Sequence, residues 1–211
     1  MIKKEKNKSH ALLLGSFIIL LGIAIPTAKY LYFNHLNNIN DDKIEEFFEE
    51  TNIEPVIEDE PIEEVNEVIE KPTYSYDYIA VLEIPSISLK RGLVSINDKN
   101  NNVNKNIEIL KNSTMPDVEN GNLILAGHSG SSYISFFKNL ERLNNDNLIY
   151  IYYNNVKYTY KVVNSYLEIK DGNIVIHRNI DKTTLTLTTC SQKHKGKQLI
   201  VISELVKKEN Y

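Results

Sequence analysis

The distribution of apolar residues divides the chain into three stretches. Residues 11–28, ALLLGSFIILLGIAIPTA, run without a charge. Wound as a helix with a rise of 1.5 Å per residue, that run reaches roughly 27 Å, close to the hydrocarbon thickness of a bilayer. Residues 34–72 are polar and acidic, carry Pro55, Pro61 and Pro72, and show no sustained helical stripe. High charge with few aromatics predicts a flexible linker there, compatible with a short helix over 42–50. From Tyr74 onward, Tyr and β-branched residues alternate with polar ones at period two. That pattern predicts strands over 79–84, 123–127, 148–153, 156–163, 183–190 and 199–205. Asn154-Asn155 between two of these runs is a hairpin signal, and the spacing of Ile134, Phe137, Leu140 and Glu141 predicts a helix after Ser132. With no long helices between strands, a doubly wound parallel sheet is excluded in favour of a mostly antiparallel barrel or sandwich.

Charge sharpens the division. Of the 28 acidic residues, 14 fall in residues 41–70, where Lys43 is the one base. Residues 71–211 hold 18 Lys and Arg against 13 acids, a net of about +5. This excess is small and has no Arg-rich run, so it argues against a nucleic-acid partner. Lys3, Lys4, Lys6 and Lys8 precede the apolar run and Tyr30, Tyr32 and Phe33 follow it. By the positive-inside rule and the aromatic belt, residues 1–10 are cytoplasmic, 11–28 span the membrane, 29–73 form the acidic linker and 74–211 make an extracytoplasmic domain. An uncleaved anchor is favoured over a signal peptide, because the apolar core is long and residues 24–28 offer a poor small-x-small cleavage site.

The chain has one cysteine, so an internal disulfide is excluded. Cys190 ends the run TTLTLTT on the parity of Thr184, Thr186 and Thr188, the less apolar face of that strand, which weakens the reading of a buried structural thiol. Of the five histidines, His10 and His35 flank the anchor, His194 lies in the Lys-rich turn SQKHKGK, and His177 sits between apolar residues and Arg178. His128 differs: it ends the apolar run LILAG and precedes Ser129-Gly130, which places it at a cleft rim. A Cys and a His at neighbouring strand ends suit thiolate chemistry, since an imidazolium stabilises the reactive thiolate. Such chemistry also needs donors for an oxyanion; Lys193, Lys195 and Lys197 lie near Cys190 in sequence, and the three arginines do not. A zinc site on Cys190 and His128 lacks a third and fourth ligand of recognisable spacing.

LAGHSG at 125–130, TLTLTTCS at 184–191 and IAVLEIPSISL at 79–89 together resemble the sortases, in the order anchor, linker, His, Cys. The resemblance covers roughly residues 74–207. It implies a mainly β fold: a closed barrel of about eight strands with short helices, preceded by a single transmembrane helix. It implies a cysteine transpeptidase that cleaves an LPxTG-like sorting signal between Thr and Gly, holds the acyl part as a thioester, and passes it to an amine of the cell wall or of a pilin. Cys190 would be the nucleophile and His128 the acid/base. The family's arginine on the strand after the cysteine is absent; Lys197 is the nearest match, with Gln198 one register away and Arg178 a distant alternative. Residues 164–182 would frame the specificity pocket, and their shortness favours an A-like or D-like enzyme over class B. Glu108, Asp117 and Glu119 resemble loop carboxylates that bind calcium in one branch, but neither a metal nor a cofactor is expected. The implied partners are surface proteins bearing the signal, the acceptor amine and the membrane. A papain-like peptidase is excluded because its cysteine precedes the histidine. The alternative is a membrane-tethered domain of the same fold with weak or no activity.

Overall fold

The computed structural model describes residues 2–51 and 77–211. These fall into two compact units that meet in sequence at Asp41 and Asp42. Helix α1 runs Ile2–Thr51. Leu13, Phe17, Ile18, Leu20 and Ile23 are all exposed around it, the pattern of a helix whose every face suits an apolar solvent. It is long and apolar enough to cross a membrane. Its small hydroxyls are satisfied within the helix, Ser16 Oγ donating to Leu13 O at 2.9 Å and Thr27 Oγ1 to Ile23 O at 2.8 Å.

The expectation of a flexible linker from residue 29 needs correction, because residues 29–51 are helical. The sequence DDKIEEFFEE contains no helix breaker, and Ile44, Phe47 and Phe48 recur at helical spacing. Within the second unit these three pack with Val81, Tyr78, Tyr152 and Tyr211. Residues 52–73 of the expected linker and its boundary at 74 lie outside the described residues.

The described residues of the second unit contain eight strands: β1 (Tyr78–Ile84), β2 (Leu89–Val94), β3 (Glu108–Ile109), β4 (Asn122–Ala126), β5 (Leu148–Tyr153), β6 (Val156–Ile169), β7 (Thr184–Cys190) and β8 (Lys197–Asn210). Their order across the sheet is β2-β1-β5-β6-β8-β7-β4-β3. All pairings are antiparallel except β4 with β7. The expected hairpin at Asn154-Asn155 forms, both residues taking positive φ (50° and 58°), as its tight turn requires. The end strands are joined through buried Asn106: its Nδ2 donates to Gly92 O in β2 at 2.9 Å, and its Oδ1 accepts from Arg91 Nε at 2.9 Å. The result is a nearly closed barrel, filled by Leu82, Leu93, Leu125, Phe137, Leu187 and Val201 among others.

The helix expected after Ser132 does not form. Ser135 N bonds Ser132 O, Lys138 N bonds Ser135 O and Leu140 N bonds Phe137 O, giving tight three-residue turns that end in a 3₁₀ segment, Leu140–Arg142. Phe137 N is taken by His128 O at 2.9 Å, so its N–H is unavailable to an α-helical ladder. Spacing of i and i+3 buries Phe137 and Leu140 equally well in either winding.

Candidate active site

The site is built by strand parity. In β7, Leu185 and Leu187 point into the barrel core, so Thr184, Thr186, Thr188 and Cys190 point outward. β4 runs parallel to β7 with Asn122 beside Thr184 and Ala126 beside Thr188. Asn122 fixes that face, its Oδ1 accepting from the Thr184 and Thr186 hydroxyls at 3.0 Å each. The pairing continues past the strand ends, because Gly127 N donates to Thr188 O at 3.2 Å and Thr189 Oγ1 to Gly127 O at 2.6 Å. Two residues beyond Ala126 and Thr188, His128 and Cys190 therefore stand side by side on one outer face, both half-buried.

Short contacts hold the pair. Ser129 Oγ donates to Cys190 O at 2.5 Å, and Gln192 Nε2 donates to Ser129 O and, at 2.7 Å, to Lys138 O. His128 Nε2 lies 3.2 Å from Asn104 Oδ1, an oxygen that accepts whenever Nε2 carries the proton. The β2–β3 loop thus supplies a contact to His128 that its run of asparagines gives no sequence signal to single out.

Glu141 anchors the turn after the cysteine. Its Oε1 accepts from Ser191 Oγ at 2.7 Å and Gln192 N at 3.0 Å, and its Oε2 lies 3.5 Å from Lys193 Nζ. The Ser191 hydroxyl, foremost, holds this carboxyl below its ordinary value of 4.5, helped by Gln192 N and Lys193 against a burial effect of opposite sign. A carboxyl with a depressed native pKa stabilises the fold fully above its unfolded value and loses that contribution as pH falls through the native one. Glu141→Ala should cost about 2 kcal/mol at pH 7, since hydrogen bonds to charged groups contribute about 1.5–3 kcal/mol. Thermal melts of wild type and variant should differ at pH 7, and the gap should narrow as pH falls below the ordinary carboxyl value of 4.5; a gap that does not narrow with acid would remove the carboxylate from the explanation.

The three basic or amide alternatives separate clearly. Arg178 Nη1 donates to Asn120 O, Lys182 O and Thr184 Oγ1 at 3.1–3.4 Å. That fixes it at the start of β7, about 20 Å along the strand from Cys190 at 3.3 Å per residue. Lys197 opens β8 on the parity of Leu199 and Val201, which face the core. Its exposed side chain leaves the rim on the face opposite Cys190. Gln198 is the residue paired with Cys190 across β7 and β8, and Glu168 of β6 pairs with Gln198 in turn. One row across the outer face therefore reads His128, Cys190, Gln198, Glu168, and the row beneath it Ala126, Thr188, Ile200, Tyr166.

Residues 170–183 fold back toward these rows. Tyr166 Oη donates to Val175 O at 2.9 Å and accepts from His177 N at 2.7 Å, and Gln198 Nε2 donates to Asn173 O at 2.6 Å. His177 Nε2 lies 3.5 Å from Glu168 Oε1, which gives it a structural partner in the loop; His194 is exposed and 3.5 Å from Ser191 Oγ. Glu108 Oε2 accepts from Val103 N. Among the described residues no three His, Cys, Asp or Glu side chains converge as metal ligands would.

Comparison with known proteins agrees with this architecture. No curated protein matches the chain. Among solved structures, a sortase D5 transpeptidase of Clostridium perfringens is 25% identical, covering 62% of this chain and 80% of that one, with a TM-score of 0.53. Listeria monocytogenes sortase A is 20% identical over 64% of this chain and 90% of its own, with a TM-score of 0.53. A Clostridium perfringens sortase C, solved with its C-terminal cell wall sorting motif, is 23% identical over 63% and 72%, with a TM-score of 0.54. At such identities the last two speak for the shared barrel. The sortase-domain model itself matches residues 82–206, from β1 through to β8, and with more than half of its length inside that match the chain belongs to the sortase family.

Proposed function

We propose that this protein is a membrane-anchored sortase that cleaves an LPxTG-like signal at Cys190 and transfers the acyl group to an amine. The observation that carries the reading is the placement of His128 and Cys190 side by side, at the ends of parallel strands, on the outer face that the 170–183 segment borders. The Cys190 thiolate attacks the threonine carbonyl and forms a tetrahedral oxyanion. Collapse breaks the C–N bond to glycine while His128 gives its proton to the departing amine, leaving a thioester. An incoming amine attacks that thioester, loses its proton to His128 and expels the thiolate. The short 170–183 segment, which contains no helix, supports an A-like or D-like enzyme over class B. The apolar run 11–28 of α1 supports a single span of the cell membrane, with the barrel outside and surface proteins and a cell-wall or pilin amine as partners.

The test is to present the detergent-solubilised chain with fluorogenic LPxTG-like peptides and an acceptor amine. The expected results are cleavage, a new amide product, and a mass increment on Cys190 equal to the acyl fragment. The competing reading, a tethered sortase-fold domain without activity, predicts no product and a Cys190 that alkylates no faster than an ordinary thiol at neutral pH.

A further inference from the structure

The row that contains Cys190 holds one more group with chemistry to offer. Gln198 stands directly opposite Cys190 in the β7–β8 register, so both side chains project from the same face. It is 9% exposed, and its Nε2 donates to Asn173 O at 2.6 Å. A carboxamide nitrogen carries two N–H donors. One is engaged on Asn173 O, and among the described residues no acceptor engages the other. Lys197 is aimed off the opposite face and Arg178 is fixed at the far end of β7, so neither competes for this position.

We propose that Gln198 is a catalytic residue whose side-chain amide donates to the acyl oxygen as it becomes the tetrahedral oxyanion on Cys190, while its other N–H holds Asn173 of the loop that borders the site. This rests on the reading of the barrel as a sortase. A neutral amide stabilises an oxyanion less than a guanidinium would, because hydrogen bonds with an ionised donor are roughly twice as strong, but fixed close to the reacting carbon it still contributes substantially. The arrangement also joins two tasks in one side chain: the group that orders the loop is the group that meets the substrate.

The experiment measures single-turnover acylation of the full chain by a sorting peptide, together with KM and the rate of Cys190 alkylation. The variants are Gln198→Met, Gln198→Arg and Lys197→Ala. Gln198→Met keeps the length and removes the donors; it should slow acylation about 10²-fold, the scale of losing one oxyanion donor. The alkylation rate should change less than about threefold, because the thiol is untouched, and any rise in KM from losing the Asn173 contact should be small beside the loss in acylation rate. Gln198→Arg should restore acylation to wild-type rate or above, and Lys197→Ala should leave it within about threefold. The proposal is overturned if Gln198→Met acylates normally, if its loss appears in KM alone as a mere loop tether would give, or if Lys197→Ala loses as much. These outcomes leave the sortase reading standing, since wild type is still acylated. A wild-type chain that no sorting peptide acylates would instead overturn the reading and this proposal together.

Discussion

Cys190→Ala should lower cleavage of the sorting peptide by about 10⁴-fold or more, which at 1.36 kcal/mol per decade is about 5.5 kcal/mol of lost transition-state stabilisation. The chain has one cysteine, so no neighbouring thiol can substitute, and the variant removes the atom that forms the covalent bond. The fold should be indifferent to the change. What ties this strand end to its neighbours is backbone, namely Cys190 O held by Ser129 Oγ and Gly127 N on Thr188 O, and alanine retains every one of these. Cys190→Ser makes a stricter version: it keeps a hydroxyl in the same place but replaces a good nucleophile by one that is weak without a strong base. Rates for both variants should fall together while their melting temperatures stay within a degree or two of wild type. Turnover persisting in Cys190→Ala would move the chemistry elsewhere in the barrel.

Much of this site could be read from the sequence, and the rest was hidden for identifiable reasons. His128 and Cys190 are legible as candidates because each ends a strand-forming run, the first a continuous apolar run followed by glycine and the second an alternating one whose parity sets the face of Cys190. Parity inside one strand says nothing about its neighbour, however. Choosing between Lys197 and Gln198 required the β7–β8 register, which depends on how many residues the Ser191–Gly196 turn consumes; the structure places Gln198, not Lys197, opposite the sulfur. Asn104 was invisible because one asparagine among many carries no periodic signal. β2 and β3 were missed for a similar reason: LKRGLV mixes charges with a glycine, and β3 is only two residues long. β6 and β8 each extend to 14 residues, beyond the apolar runs, since polar residues such as Lys157 and Glu209 pair across the ladder and so favour continuation. The helix expected after Ser132 failed because i, i+3 burial is common to α and 3₁₀ windings, and a long-range bond from Phe137 N to His128 O decided between them.

His128→Ala should slow acylation from an amide substrate by about 10³-fold, within the range for removing a general acid or base. Unlike the cysteine variants it should be rescued by chemistry, and that difference identifies its task. If His128 delivers a proton to the departing amine, a substrate whose leaving group departs without protonation has no use for it. A thioester or activated ester of the same acyl peptide should therefore acylate His128→Ala within about tenfold of wild type, while Cys190→Ala stays inactive toward both. The contact from Asn104 Oδ1 to His128 Nε2 at 3.2 Å predicts a graded companion. Asn104→Ala leaves the imidazole in place but loosens its orientation, so it should lose about tenfold on the amide and almost nothing on the ester. Equal losses of His128→Ala on amide and ester would mean that the histidine prepares the thiolate rather than serving the leaving group, and the direction of proton transfer assigned to it here would have to be reversed.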